Sequence, residues 1–156
     1  MHKSLDIWRK LEIPGELAIA LAEFSEPLLH SGERDASLKY SEEALEIARE
    51  VGKPGLINHC LIYYCTGLVH TKQYEKGEPL VEELLLSSEK LKNIYGIESA
   101  IHLHGDCAIG MKDYKEGEKR YALGIEASLK YGTNMYTAFD IQGLYIAINP
   151  INNSKT

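Results

Sequence analysis

Apolar residues return along this chain at a fixed interval of forty positions. Leu21, Leu61, Ile101 and Ile141 share one column; Phe24, Tyr64, His104 and Leu144 share the next; Leu28, Leu68, Ala108 and Ile148 follow; and later in each interval come Leu45, Leu85 and Ile125. No position has to slip to keep this register, and a fixed period of that kind marks stacked supersecondary units rather than one irregular core. Within an interval the apolar steps are three and four, as in Ile57, Leu61, Tyr64 and Leu68, which is one face of a helix. The pattern predicts a helix A over 55–71 and a helix B over 74–92, the latter with Leu80, Leu84, Leu85, Ser88 and Leu91 on its inner stripe.

The polar punctuation supports the same division. Ser31-Gly32-Glu33, Thr71-Lys72-Gln73 and Met111-Lys112-Asp113 are turns short enough to force antiparallel pairing of the flanking helices. Val51-Gly52-Lys53-Pro54-Gly55 and Tyr131-Gly132-Thr133-Asn134 read as links that cap and break helix B. Carrying the register outward makes 3–12 a helix B without its helix A and Tyr136 to Ala147 a helix A without its helix B. The expected organisation is one array over 1–149: a half unit 1–13, units 14–54, 55–94 and 95–134, and a half unit 135–149, followed by a polar tail 150–156. The half units either cap three complete pairs or belong to a longer array. Pro27 and Pro79 fall inside expected helices, and Pro27 should bend its helix near Glu23.

Small residues sit where two helices must approach closely: Ser25, Cys65 and Gly105 on helix A, and Ser37, Gly77 and Gly117 early in helix B. A bulky residue precedes the first set, and a tyrosine stands three before the small residue in Tyr74-Glu75-Lys76-Gly77 and Tyr114-Lys115-Glu116-Gly117. Read as Leu61, Tyr64, Cys65, Leu68, Tyr74, Gly77, Leu84, this order resembles the tetratricopeptide repeat. The length of the units resembles the longer variant found beside ATPase modules in large bacterial signalling ATPases and transcription regulators. The resemblance implies an all-α, right-handed superhelical solenoid of antiparallel helix pairs, and a protein-binding role.

Composition narrows the function. With 23 acidic against 17 basic side chains, a net charge of −6 and no Lys/Arg cluster, the chain lacks the footprint of a nucleic-acid binder. Its start, MHKSLDIWRKLEIPGE, is broken by charges every two or three positions and has no signal-peptide core. No stretch approaches the ~18–20 apolar residues of a membrane span, so the expected location is cytoplasmic, with no membrane partner. Cys60, Cys65 and Cys107 all fall in apolar helical patterns and read as small buried hydrophobes.

No phosphate-cradling loop, dinucleotide fingerprint, nucleophile elbow or His-Glu-x-x-His pair occurs. Glu42-Glu43 and Glu82-Glu83 read as solvated faces of helix B. The chain is therefore expected not to be an enzyme, and no cofactor or metal is implied; His104 with Cys107, or His59 with His102, offers two ligands without a third. By the tetratricopeptide resemblance, helix A residues turned away from helix B would line a concave groove. Those residues are Ile19, Ala22, Glu26 and His30, then His59, Ile62, Thr66 and His70, then Ser99, His102, Asp106 and Gly110. A groove using Glu26, His30, His59, Ile62, Thr66, His70, Ser99, His102 and Asp106 would hold a peptide or a partner protein by hydrogen bonds; the alternative for these histidines is plain half-exposed helical packing, and His104 reads as a packed core residue. Two further functions fit the same residues: a sensor segment of a signalling ATPase or transcription regulator, and a self-assembly module pairing Leu5 and Trp8 at one end with Phe139 and Ile146 at the other, giving a homo-oligomer.

Overall fold

The computed structural model describes residues 13–150; the expected half helix at 3–12, with Leu5 and Trp8, and the tail beyond Pro150 lie outside the described residues. All the regular elements among them are helices: α1 (Pro14–His30), α2 (Arg34–Val51), α3 (Pro54–His70), α4 (Tyr74–Leu91), α5 (Ile94–Gly110), α6 (Tyr114–Tyr131) and α7 (Thr137–Ile148). The chain divides into two compact units, Met1–Thr71 and Lys72–Thr156. Helices α1 to α3 belong to the first and α4 to α7 to the second, and the division falls inside the expected interval 55–94.

The helix ends follow a rhythm finer than the forty-residue period. Backbone φ turns positive at Gly32 (87°), Gly52 (72°), Lys72 (62°), Lys92 (55°), Lys112 (66°) and Gly132 (69°), one position in every twenty. Each closes a helix, and backbone bonds reaching back five residues accompany four of them: Glu33 to Leu28, Asn93 to Ser88, Asp113 to Ala108 and Thr133 to Ser128, at 2.8–3.0 Å. Glycine adopts this conformation freely; lysine does so at a cost of roughly 1–2 kcal/mol. Pro54, expected to act as a breaker, instead opens α3, as Pro14 opens α1. A proline there lacks only an N–H that would have had no partner in the helix. Helix α1 runs through Pro27 and α4 through Pro79.

In the first unit α1, α2 and α3 all touch one another. Leu21, Ala44, Leu61, Cys65 and Leu68 are fully buried there, each large aliphatic contributing about 1.5–3 kcal/mol from removal of its surface from water. Phe24 of α1 meets Tyr40 of α2 edge to face at 5.2 Å. In the second unit the helices pack in succession, and α5 and α7 share a thinner contact. The inner stripe of α4 is Gly77, Val81, Leu84 and Ser88; Leu91, expected on it, is the last residue of the helix and 41% exposed. Gly96, Gly105, Gly110 and Gly117 mark close approaches: a Cβ at Gly105 would lie 2.5 Å from the Tyr121 ring, and one at Gly117 2.7 Å from Ile109. The three cysteines are free and buried, and burial pushes the Cys60 and Cys107 thiols up to about 12, which keeps them protonated and unreactive. No helix among the described residues is long and apolar enough to cross a membrane.

Candidate functional site

The helices of A type are α1, α3, α5 and α7, and their outward residues differ between the two units. In the first unit Glu26 and His30 stand one turn apart on α1, both exposed, with 4.0 Å between carboxylate and ring nitrogen. On α3, His59 is half-buried; its Nε2 lies 3.7 Å from Glu23 Oε1 of α1 and its ring meets Tyr63 edge to face at 5.2 Å. That Nε2 is buried and makes no hydrogen bond. Thr66 donates its hydroxyl to the Ile62 carbonyl at 2.8 Å, so it serves its own helix, and His70 at the end of α3 is exposed. Ile62 is only 3% exposed and is a core residue rather than part of a lining surface. On the helix-B side, Glu42 is not simply solvated: Tyr64 of α3 donates its hydroxyl to it.

In the second unit the expected lining residues are drawn inward. Ser99 is 1% exposed, donating to the Tyr95 carbonyl at 2.8 Å and sharing a 2.9 Å hydrogen bond with the Tyr136 hydroxyl. His102 bonds Asp140 Oδ1 of α7 through Nδ1 at 2.8 Å, and its Nε2 stands 3.5 Å from Asp106 Oδ2. Asp106 in turn accepts a 2.6 Å hydrogen bond from the Tyr121 hydroxyl of α6. Three rings surround the imidazole: Tyr136 at 5.1 Å, Phe139 at 5.9 Å and Tyr121 at 6.0 Å. Burial pulls the His102 imidazole down, but the hydrogen bond to Asp140 and the charges of Asp106 and Asp140 outweigh it and leave it above the ordinary histidine value. The Tyr121 hydroxyl is pushed strongly up by burial and by Asp106, so it remains a donor.

A second polar staple lies at the start of α5. Glu98, 3% exposed, accepts from Ser128 Oγ at 3.3 Å and from Thr133 Oγ1. His104, as expected, is packed, at 7% exposure, with Glu82 3.6 Å from its Nε2. Burial and the nearby Arg120 lower its proton affinity despite Glu82 and Glu78.

Sequence reasoning passed over Asp140, Tyr121 and Glu98, although the register carried a signal for each. Asp140 shares its column with Ala20, Cys60 and Ala100, and Glu98 shares one with Ala18 and Asn58; an acid in a column of small or buried residues needs a partner. Gly124 stands where the other B helices have Ala44 and Leu84, and a Cβ there would collide with the Asp140 carboxylate. Tyr121 stands where they have Ser41 and Val81, and its ring fits against Gly105 of α5 and Gly143 of α7. At the end of the array, Phe139 is 58% exposed and Ile146 half-buried. Ile141 and Ile148, in columns filled elsewhere by the buried Leu61 and Leu68, are each 55% exposed.

No family model matches the chain, and no curated protein matches it in sequence. Solved structures do match. The apo form of RapI superposes with a TM-score of 0.74 at 19% identity, covering 93% of this chain and 40% of that one. The tetratricopeptide domain of Arabidopsis FLU superposes with a TM-score of 0.66 at 19% identity, covering 75% of this chain and 98% of that domain. The chain thus spans well under half the length of RapI. These likenesses show the fold, an all-α helical repeat of tetratricopeptide type.

Proposed function

We propose that this chain is a non-catalytic protein-interaction scaffold, holding a peptide or partner segment against the outward faces of its A-type helices. The fold supports the reading, since a tetratricopeptide domain is among the structures it resembles. The observation that carries it is the polar face of the first unit, where Glu26, His30 and His70 stand exposed and half-buried His59 lies 3.7 Å from Glu23. Exposed carboxylates and imidazoles give an incoming backbone amide or carbonyl the acceptors and donors it needs. In the second unit His102 and Asp106 are committed to partners within the fold, so that unit offers the exposed rings of Phe139 and Tyr95 (58% and 41%) rather than hydrogen-bonding groups.

The test is to pan a random-peptide display library on the full chain and measure recovered peptides on the wild type and on His59→Ala. At least a tenfold loss of affinity is expected, about 1.4 kcal/mol. Peptides that bind both equally would place recognition away from α1 and α3, and recovery of no peptide would remove the reading.

A second reading, self-association, is favoured by α7. Its outward Phe139, Ile141, Tyr145 and Ile148 are 55–59% exposed, and Asp140, which alone on the helix is of the Asp, Glu, Lys, Arg or His type, is buried, so no exposed charge on that helix opposes a second copy. Half-buried Ile146 drops out of the face, and Leu5 and Trp8 lie outside the described residues. Sedimentation equilibrium tests it: a mass that rises with concentration and falls to the monomer on Ile141→Glu would support self-association, whereas a monomer at all concentrations would end it.

A further inference from the structure

Helix α7 is held within the second unit by two contacts of different kind. Against α6 the fit is steric: Gly143 admits the Tyr121 ring and Gly124 admits the Asp140 carboxylate. Against α5 the contact is thin and polar, made of the Ser99 and Tyr136 hydroxyls at 2.9 Å and of His102 with Asp140 at 2.8 Å. Asp140 is 1% exposed, and its Oδ2 is buried without a hydrogen bond. A buried carboxylate with an unused oxygen is costly unless a cation lies against it. Among the described residues the cationic group within ion-pair distance of Asp140 is His102.

The geometry makes the charge state of His102 decisive. Its two ring nitrogens address two carboxylates, Asp140 at 2.8 Å and Asp106 at 3.5 Å. A neutral imidazole donates from one nitrogen and presents a lone pair on the other. Either neutral tautomer therefore turns a lone pair toward a carboxylate, and only the imidazolium faces both with an N–H. We propose that His102 is a proton-operated latch for α7: protonated, it ties Asp140 and docks the helix on α5; neutral, it leaves a buried negative charge unmatched and α7 loosens.

The other groups around the ring do not replace it as the switch. Asp106, on the same helix, supplies the second acceptor. Tyr121 from α6 and Tyr74 from α4 both have hydroxyls pushed up by burial and by Asp106, and so stay neutral through the histidine range. Tyr136, beside the start of α7, shares its hydroxyl with Ser99. The two carboxylates hold the imidazole above its ordinary value, so docked α7 binds the proton more tightly than released α7, and raising pH favours release.

The test follows the imidazole of His102 by NMR and the amide-exchange protection of 137–148 by mass spectrometry on the full chain, from about pH 5.5 to 9, with exchange corrected for its intrinsic pH dependence. Protection of α7 should be lost over the interval in which His102 gives up its proton, with a midpoint above the ordinary ~6.5. In Asp140→Asn, which removes the buried charge, the midpoint should fall toward that value and α7 protection should become independent of pH. His102→Gln, permanently neutral, should show low α7 protection at every pH while keeping the helical circular dichroism of α4 to α6. Protection that persists unchanged while His102 deprotonates would overturn the latch, and so would pH-dependent release surviving in Asp140→Asn.

Discussion

Helices α3 and α5 hold the same place in the forty-residue period, yet polar groups take a far larger share of the interior of α5. Helix α3 buries Leu61, Cys65 and Leu68 completely and Tyr64 nearly so, and Thr66 bonds the backbone of its own helix. Helix α5 buries Glu98, Ser99 and His104 and sends polar bonds to its neighbours: Glu98 to Ser128, Ser99 to Tyr136, His102 to Asp140 and Asp106 to Tyr121. Apolar burial is nondirectional and scales with area, so most of what α3 asks of its partners is shape and volume, with one hydrogen bond from Tyr64 to Glu42 added. A polar network is directional and costly when incomplete, so α5 dictates which residues its neighbours carry. The repeat period specifies a fold that either interior can fill.

The comparison is broken most forcefully by a cavity. Leu61→Ala, at a fully buried position, should lower the stability of the first unit by ~2–5 kcal/mol, seen as an earlier urea midpoint with little change in its pH dependence. In the second unit the corresponding attack is overfilling. Gly143→Ala would drive a methyl into the Tyr121 ring, costing ~1–3 kcal/mol. It should also disturb α7 selectively, since Tyr121 is the ring on which that helix rests; uniform loss of amide protection across α4 to α7 would contradict this picture of α7.

A gentler contrast comes from titration, because the two histidines of α5 shift in opposite directions. His102 is raised, so the stability it contributes is full below its unfolded value of ~6.5 and is lost as pH rises through its folded value. His104 is lowered by burial and Arg120, so its contribution is full above ~6.5 and is lost as pH falls through its folded value. Together they give the second unit a stability maximum near that shared unfolded value. His104→Gln should flatten the acid side and His102→Gln the alkaline side in denaturation series across pH; a variant that flattens the wrong side would refute the assignment.

How much of this was legible depended on whether a feature repeats. Leu21, Leu61 and Leu68 are buried as their period implied, and the glycines at 105 and 117 lie at close helix contacts, because stacking repeats that demand. The polar network does not repeat, and the groove reading placed His102 with His59 on an open face although its column mates Ala22 and Ile62 are buried. What makes an imidazole fit there is Asp140, an acid among Ala and Cys positions, made tolerable by a glycine at 124. Such a pairing is visible only when departures from the repeat are read against one another. Ile62 was misplaced for a related reason: α3 is so apolar that its burial extends beyond the stripe that a three-and-four spacing marks out.

The smallest expected effect concerns the backbone, where the sequence hid a regularity that the fold displays. Three of the six positive-φ positions are glycine and three are lysine, although each terminates a helix in the same left-handed conformation. At Lys92 (φ 55°) and Lys112 (φ 66°) the lysine Cβ is strained, while the neighbouring bonds from Asn93 to Ser88 and Asp113 to Ala108, at 2.9 and 2.8 Å, are backbone bonds that a glycine keeps. Glycine relieves the strain but enlarges the unfolded ensemble, so the two terms oppose. The relief is the greater, and Lys92→Gly and Lys112→Gly should each stabilise the second unit by about 0.5–1 kcal/mol. The same change at Lys90, helical and exposed within α4, should destabilise by a similar amount. Equal signs at Lys90 and Lys92 would mean that side-chain loss, not backbone conformation, governs the effect.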